Sequence, residues 1–415
     1  MGLLHHVRQR ATHHVRNDTE EFMIKYHLAE DTIDNHDIDK LIAWLKTYPR
    51  LTKGRLTIEF EEKWNQWLGS KHSVFCNSGS SANLLMYYTL LISGRLKNKK
   101  VIVPSVGWVT SIAPAIQFGF EPVMCEADPD TFGLDLDHLE QLLKKYNPST
   151  VVLVQVLGVP HKMKQIMALK AKYGFFLLED ACAAVGASGH GRKAGAFGDM
   201  GSFSFYFGHQ ISTIEGGIVS TGDKFFYDIL LMLRSHGWSK DLDRPAHEAL
   251  VNQYAIDDFH TPFVFYEPGF NLRSTDLNAF IGLGQLEKID WIVQRRNENH
   301  ALYKKHLGDK FYIQKSDDPN AQIASISFGA LAENPLERRA IVNALVENGI
   351  ETRIFSAGNL GLHPFWAGRF GKASFPMADR IHTCGFFLPN NPSLKTEDID
   401  FISNVVLDAL CVKKS

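Results

Sequence analysis

Between Ser202 and Gly217 the chain reads SFSFYFGHQISTIEGG: a serine–phenylalanine alternation, a glycine, one histidine and a closing Glu-Gly-Gly. His209 can both take and give a proton near neutrality, because an unperturbed imidazole has a pKa of about 6.5. It sits in a glycine-bounded loop after a strand-like run, and loops in that position carry function disproportionately. Ser204 lies five residues before it, across the kink expected at Gly208. Three other stretches offer complementary groups. In CNSGSSANL a small polar turn opens a helix, so backbone N–H groups at Gly79 and Ser80, with the Ser80 and Ser81 hydroxyls, can cradle a phosphate. In FFLLEDACAAVGA a buried strand ends in two carboxylates, Glu179 and Asp180, and either needs a partner at the sheet edge. In PSVGWVTS, Trp108 follows a strand and can stack on a planar ring. Each has a plain structural alternative: a capped helix, an arginine pair, a core tryptophan, a packed histidine. Their order along the chain supplies a phosphate cradle, a ring stack, a partner for a ring nitrogen and a proton shuttle. Together these suit one planar, phosphorylated pyridine.

Such groups need a scaffold, and the chain patterns one. At 415 residues it exceeds one compact core, so a large domain and a smaller one are expected. From residue 73 short apolar strands alternate with helical segments: HSVFCNS, SSANLLMYYTLLISG, KKVIVPS, WVTSIAPAIQFG, EPVMCEAD, HLEQLLKKY, TVVLVQVLG, KMKQIMALKAKYG and FFLLEDA. This pattern predicts a largely parallel sheet covered on both faces, with ligands beyond the strand carboxyl ends. Two amphipathic helices precede it, DIDKLIAWLKTYPR and LTIEFEEKWNQWLGS. A long helix, LNAFIGLGQLEKIDWIVQRRNENHALYKKHL, leads into the second unit. The expected division is a leader at 1–20, a large cofactor-binding domain at 21–295 and a small α+β domain at 296–415.

The net charge of -2 and the even spread of charge give no electrostatic case for nucleic acid or an anionic membrane. No apolar run approaches the roughly 18 residues that span a bilayer. Five scattered cysteines without a C-x-x-C pair read as free thiols, hence a reduced, cytoplasmic enzyme without a metal site. The paired histidines of the leader, at His5, His6, His13 and His14, read as part of that leader rather than as metal ligands.

Nearly everything after residue 45 resembles the DegT/StrS family of sugar aminotransferases, a branch of fold-type-I pyridoxal-phosphate enzymes. The resemblance rests on LTKGRLTIEFEEKWNQWLGSKHSVFCNSGSSANL, VIVPSVGWVTSIAPAIQFGFEPVMCEADPDTFGLD, LLEDACAAVGA, GSFSFYFGHQISTIEGGIVST and GFNLRSTDLNAFIGLGQLEKID. It implies the fold-type-I architecture: a mostly parallel seven-stranded sheet in the large domain and a smaller C-terminal α+β domain. Six residues before Glu215 the family places its Schiff-base lysine, and this chain has His209. In that respect it is similar to the family's sugar 3-dehydratases, which use pyridoxamine phosphate. One branch of these carries an iron–sulfur cluster. Only Cys384 lies between residues 183 and 410, so the chain is similar instead to the cluster-free branch acting on GDP-4-keto-6-deoxymannose.

The resemblance assigns Gly79, Ser80 and Ser204 to the phosphate, Trp108 to the ring face, Asp180 to the ring nitrogen and His209 to proton transfer. It places Asn271 at a neighbouring subunit's phosphate, implying a homodimer with shared active sites. Arg273, Asn359 and His363 are candidates for the sugar nucleotide or for the carboxylates of L-glutamate, the expected amino donor; packing roles are open for all three. The implied reaction removes the C3 hydroxyl of a nucleotide-linked 4-keto-6-deoxyhexose and releases ammonia. Where the family usually has a polar residue near the cofactor's O3′, this chain has Ala183. Two alternatives remain: an aminotransferase using a displaced lysine such as Lys193 or Lys224, and a non-catalytic cofactor-binding member.

Overall fold

The computed structural model describes residues 24–411; the leader at 1–20 lies outside them. Helices α1 (Asn35–Leu45) and α2 (Arg55–Leu68) come first, and Asp34 starts α1 with a reciprocal capping box to Asp37. The central sheet contains β1 (His72–Cys76), β2 (Lys100–Pro104), β3 (Glu121–Cys125), β4 (Thr150–Val154), β5 (Phe176–Asp180), β6 (Met200–Ser204) and β7 (Gly217–Thr221). Their spatial order is β1-β7-β6-β5-β4-β2-β3. The β6-β5-β4-β2-β3 run is parallel, whereas β7 runs antiparallel to both β1 and β6. β4 and β7 are buried along their whole length, as strands covered on both faces must be. Helix α3 (Gly79–Ile92) packs against β6 and β7 and is apolar on most sides because it is itself covered.

The stretch WVTSIAPAIQFG, expected as one helix, is a 3-10 turn at Val109–Ser111 followed by a short helix at Ala113–Gln117. Pro114 stands at the start of that second piece, where its missing N–H costs nothing. The break leaves Ser111 facing the sheet.

Helix α4 (Asp276–Leu307) is continuous and packs on α2 at one end. Its other end packs on α6 (Thr396–Cys411) of the smaller unit, which also contains α5 (Pro335–Glu347). That unit is built on an antiparallel sheet of β8 (Tyr312–Ile313), β9 (Ser327–Leu331) and β10 (Gly385–Pro389). The linear division at 295 therefore falls inside one helix. The chain near residue 26 also joins the smaller unit: Tyr26 bridges Ile350, and the Glu351 carboxylate accepts from the Leu28 N–H at 2.9 Å. No helix among the described residues is long and apolar enough to cross a membrane.

Candidate active site

Strand alternation decides which side chains meet. In β6 and just beyond it, Phe203 and Phe205 point to the α2 side, where they join Phe60, Trp64 and Phe75. Ring pairs there are edge-on, Trp64–Phe203 at 4.9 Å, Phe60–Phe75 at 4.8 Å and Phe60–Phe205 at 5.6 Å. Each such pair adds about 0.5–1.5 kcal/mol beyond its burial. Ser202 and Ser204, at the alternate positions, point to the α3 side. The Ser202 hydroxyl donates to Asn83 Oδ1 at 2.6 Å, and Ser204 packs against Gly79.

The same alternation separates the two carboxylates ending β5. Glu179 faces away from α3 and is enclosed by a loop. It accepts from the backbone N–H of Gly195, Phe197 and Gly198 and from Gln155 Nε2 at 3.1 Å. It is a structural clamp. Asp180 faces α3 and is 4 % exposed. Its Oδ2 accepts from Asn83 Nδ2 at 2.8 Å and from the Ser111 hydroxyl at 2.5 Å, and its Oδ1 accepts from the Cys182 N–H at 3.1 Å. All three donors are neutral, so they orient a buried carboxylate and leave its charge to be matched by a cation. A protonated ring nitrogen meets that need.

At the start of α3 the side chain of Ser78 takes the Ser81 N–H at 3.1 Å, and its carbonyl takes the Ala82 N–H. The N–H groups of Gly79 and Ser80 then point out of the first turn. A Cβ on Gly79 would stand 2.5 Å from Ser204 Cβ and 2.9 Å from its hydroxyl. Hydrogen there is what lets the serine hydroxyl and the helix N-terminus form one anion cradle. Gly217 serves the same corner from β7, since its Cβ would meet the Ser78 carbonyl at 2.2 Å.

His209 follows in the loop between β6 and β7. That loop is pinned where Phe205 exchanges backbone hydrogen bonds with Gly216 and Thr213. Gly208 does not carry the positive φ that a glycine kink would need; the left-handed residue of the loop is Ile214, at φ 70°. The His209 Nδ1 is sealed from solvent without a hydrogen-bond partner. Burial above all pushes the imidazole down from 6.5 to about 4; Asp180 opposes that shift and Arg296 reinforces it. The ring is thus held neutral, in the form that can accept a proton.

The remaining candidates are spread around this centre. Trp108 is half-exposed beyond β2, with the Arg353 guanidinium 5.7 Å over its ring. Arg273 bridges Cys76 through its backbone, and Asn271 is exposed beside Ser235. Asn359 is buried with its amide committed: Nδ2 donates to the Ala373 carbonyl and to Asp379, and Oδ1 accepts from the Gly361 N–H. These contacts are those of a cap on its own loop, the packing role left open for it. His363 Nε2 lies 2.8 Å from the Ala357 carbonyl. Lys193 donates to the Trp67 carbonyl, and Lys224 pairs with Asp228 and Asp243, so neither replaces the missing lysine. Among the described residues no group of three or more His, Cys, Asp or Glu side chains could hold a metal.

Asn83, Ser111 and Ser202, which orient Asp180, were not singled out from sequence. The signal for Asn83 was present, a lone amide in the apolar helix SSANLLMYYTLLI. Ser111 becomes readable only once the helix is seen to break at Pro114.

The model of the DegT/DnrJ/EryC1/StrS aminotransferase family matches residues 31–407. The chain belongs to this family. Within the family it is 33% identical, over 344 residues, to the GDP-4-keto-6-deoxy-D-mannose 3-dehydratase of Yersinia pseudotuberculosis, covering 82% of this chain and 86% of that one. The solved structure of the Escherichia coli GDP-4-keto-6-deoxy-D-mannose-3-dehydratase with bound hydrated PLP superposes with a TM-score of 0.84 at 27% identity. That superposition covers 92% of this chain and 100% of that one. A histidine-to-asparagine variant of the 3-dehydratase, solved with bound GDP-perosamine, matches with a TM-score of 0.83 at 27% identity and the same coverage. The sheet, its strand order and the smaller unit are thus those of a DegT/StrS-type aminotransferase fold.

Proposed function

We propose that this chain is a pyridoxamine-phosphate-dependent 3-dehydratase acting on a GDP-linked 4-keto-6-deoxyhexose, GDP-4-keto-6-deoxymannose being the substrate named for its relatives. The carrying observation is a partly buried His209, its Nδ1 sealed from solvent and its imidazole held neutral, where the resemblance puts the family's lysine. A buried Asp180 with neutral donors and a cradle that a single Cβ would fill both fit a phosphorylated pyridine. Gly79, Ser80 and Ser204 would hold the phosphate, Asp180 the ring nitrogen and Trp108 the ring face, with no iron–sulfur cluster. When bound, the cofactor supplies an amine for the sugar ketone and a conjugated ring that accepts electrons.

The chain's own residues supply binding and proton traffic. Asp180 keeps the ring nitrogen protonated, held in register by Asn83 and Ser111. His209, lacking a protonated form near neutrality, takes a proton from the carbon that bears the cofactor's amine and returns one to the departing C3 hydroxyl. A histidine cannot form the imine a lysine would, so the cofactor is held without a covalent tie. L-Glutamate serves as amino donor restoring the amine, and Asn271, exposed on its own chain, reaches the phosphate of a second copy in a homodimer. Arg273 and His363 border the substrate side.

The test is His209→Asn together with borohydride treatment. The variant loses deoxygenation while still binding pyridoxamine phosphate, and reduction of the wild type traps no cofactor on the chain. Retained deoxygenation by the variant, or a trapped lysine adduct, overturns the reading.

A further inference from the structure

Among the described residues two arginines are fully enclosed, and the fold treats them differently. Arg234, 1 % exposed, is neutralised: Nη1 meets Glu61 at 2.5 Å and Nη2 meets Asp241 at 3.0 Å. Arg296, also 1 % exposed, meets only carbonyls. Its Nη1 donates to Ser325 at 3.3 Å, Ile326 at 3.1 Å and Asn390 at 2.7 Å, its Nη2 donates to the carbonyl of His209 at 3.4 Å, and its Nε has no partner.

A buried cation without a carboxylate is costly, several kcal/mol even after relaxation. The carbonyl bracket alone does not require it. Asn390, a neutral amide in the same place, already bonds the Ser325 carbonyl at 2.8 Å and the Arg296 carbonyl at 3.2 Å. What the charge adds is a field on the one site residue the guanidinium touches. We propose that Arg296 is a positioning residue for the reaction: it ties the His209 backbone on the large unit to Ser325, Ile326 and Asn390 on the smaller one, and it sets a fixed positive charge against the site imidazole.

This inference rests on His209 being the proton-transfer group. The charged groups acting on the imidazole are Asp180, from the end of β5, which favours the protonated ring, and Arg296, from α4, which disfavours it. Burial acts in the same direction as Arg296 and is the largest cause. Removing the guanidinium charge therefore lets the imidazole hold its proton to higher pH. Keeping the charge but losing the planar fork loosens the tie without that change.

The experiment is an NMR titration of the histidine Cε1 signals in the full chain loaded with pyridoxamine phosphate, the His209 signal assigned by its loss in His209→Asn. It is paired with turnover measurements on Arg296→Lys and Arg296→Gln. Arg296→Gln moves the His209 midpoint upward. Arg296→Lys leaves the midpoint near that of the wild type and lowers kcat roughly 10–100-fold through lost geometry. An unmoved midpoint in a folded Arg296→Gln, or wild-type turnover in Arg296→Lys, overturns the proposal. Should Arg296→Gln not fold, Arg296→Lys decides alone: an unchanged midpoint with reduced kcat supports the role, and any other result contradicts it. Deoxygenation surviving in His209→Asn instead refutes the catalytic reading itself, whatever Arg296 does.

Discussion

At the scale of single residues, the site is built from alternation and from atoms that are absent. Which carboxylate ending β5 serves the site is decided by strand phase: Glu179 is consumed by three backbone N–H groups, while Asp180 is presented to α3. The sequence pointed to Asp180 for a ring nitrogen but left capping or an arginine pair open, because the phase of a buried strand does not show when both faces are apolar. Gly79 was read as a phosphate-turn residue that allows close approach; the neighbour that requires glycine was not legible, since a methyl there collides with Ser204. Gly79→Ala should therefore displace Ser204, cost about 1–3 kcal/mol by overpacking and weaken cofactor binding. Thermal melts with and without pyridoxamine phosphate check this, and an unchanged cofactor-induced stabilisation would contradict it. For Asn359 the resemblance left substrate contact and packing both open, and its hydrogen-bonding groups are spent within its own neighbourhood. Asn359→Ala should lower stability by more than it changes KM, as melting and steady-state kinetics would record.

At the scale of elements, the patterning predicted the alternating strands and helices well, since β1, β3 and β4 are each short and followed by a helix. The failure at residues 108–119 came from reading an apolar run as one helix despite Pro114, and it hid the Ser111 hydrogen bond to Asp180. Equally invisible was the brace under β1. Glu61 on α2 accepts from the Phe75 N–H at 2.7 Å and pairs with Arg234, which also donates to the Phe75 carbonyl at 3.0 Å. Long-range pairs of this kind leave no local signature. Arg234→Met should destabilise the chain by about 3–5 kcal/mol, because it strands the buried Glu61 carboxylate. Double replacement of Glu61 and Arg234 by apolar residues should cost less than that single change. Denaturant unfolding of the three proteins decides, and a double variant worse than Arg234→Met would count against the brace.

At the scale of the whole molecule, α4 couples the two units, and the pH response follows from the histidines buried between elements. His161 and His300, 1 % and 4 % exposed, are each pushed by burial from 6.5 down to about 4. The unfolded chain binds protons at these positions below about pH 6.5, whereas the native state does so only near pH 4. Stability is therefore full above pH 6.5 and falls as pH drops toward 4, by on the order of 2 kcal/mol per imidazole at pH 5. Melting temperatures at pH 7.5 and pH 5 measure this, and replacing both histidines by glutamine should flatten the difference. The alternation of strands and helices that builds the central sheet was legible in the sequence. The pairing of residues near Tyr26 with the smaller unit was not, since a short bridge to Ile350 is set by the assembled fold rather than by local pattern. The central claim, that a histidine in place of the family's lysine makes this site remove a hydroxyl rather than deliver an amine, is tested most directly by product analysis. The purified chain is incubated with pyridoxamine phosphate, L-glutamate and GDP-4-keto-6-deoxymannose. The account predicts ammonia and a GDP-linked 3-deoxy-4-keto sugar; a GDP-linked 4-amino sugar formed without ammonia would contradict it.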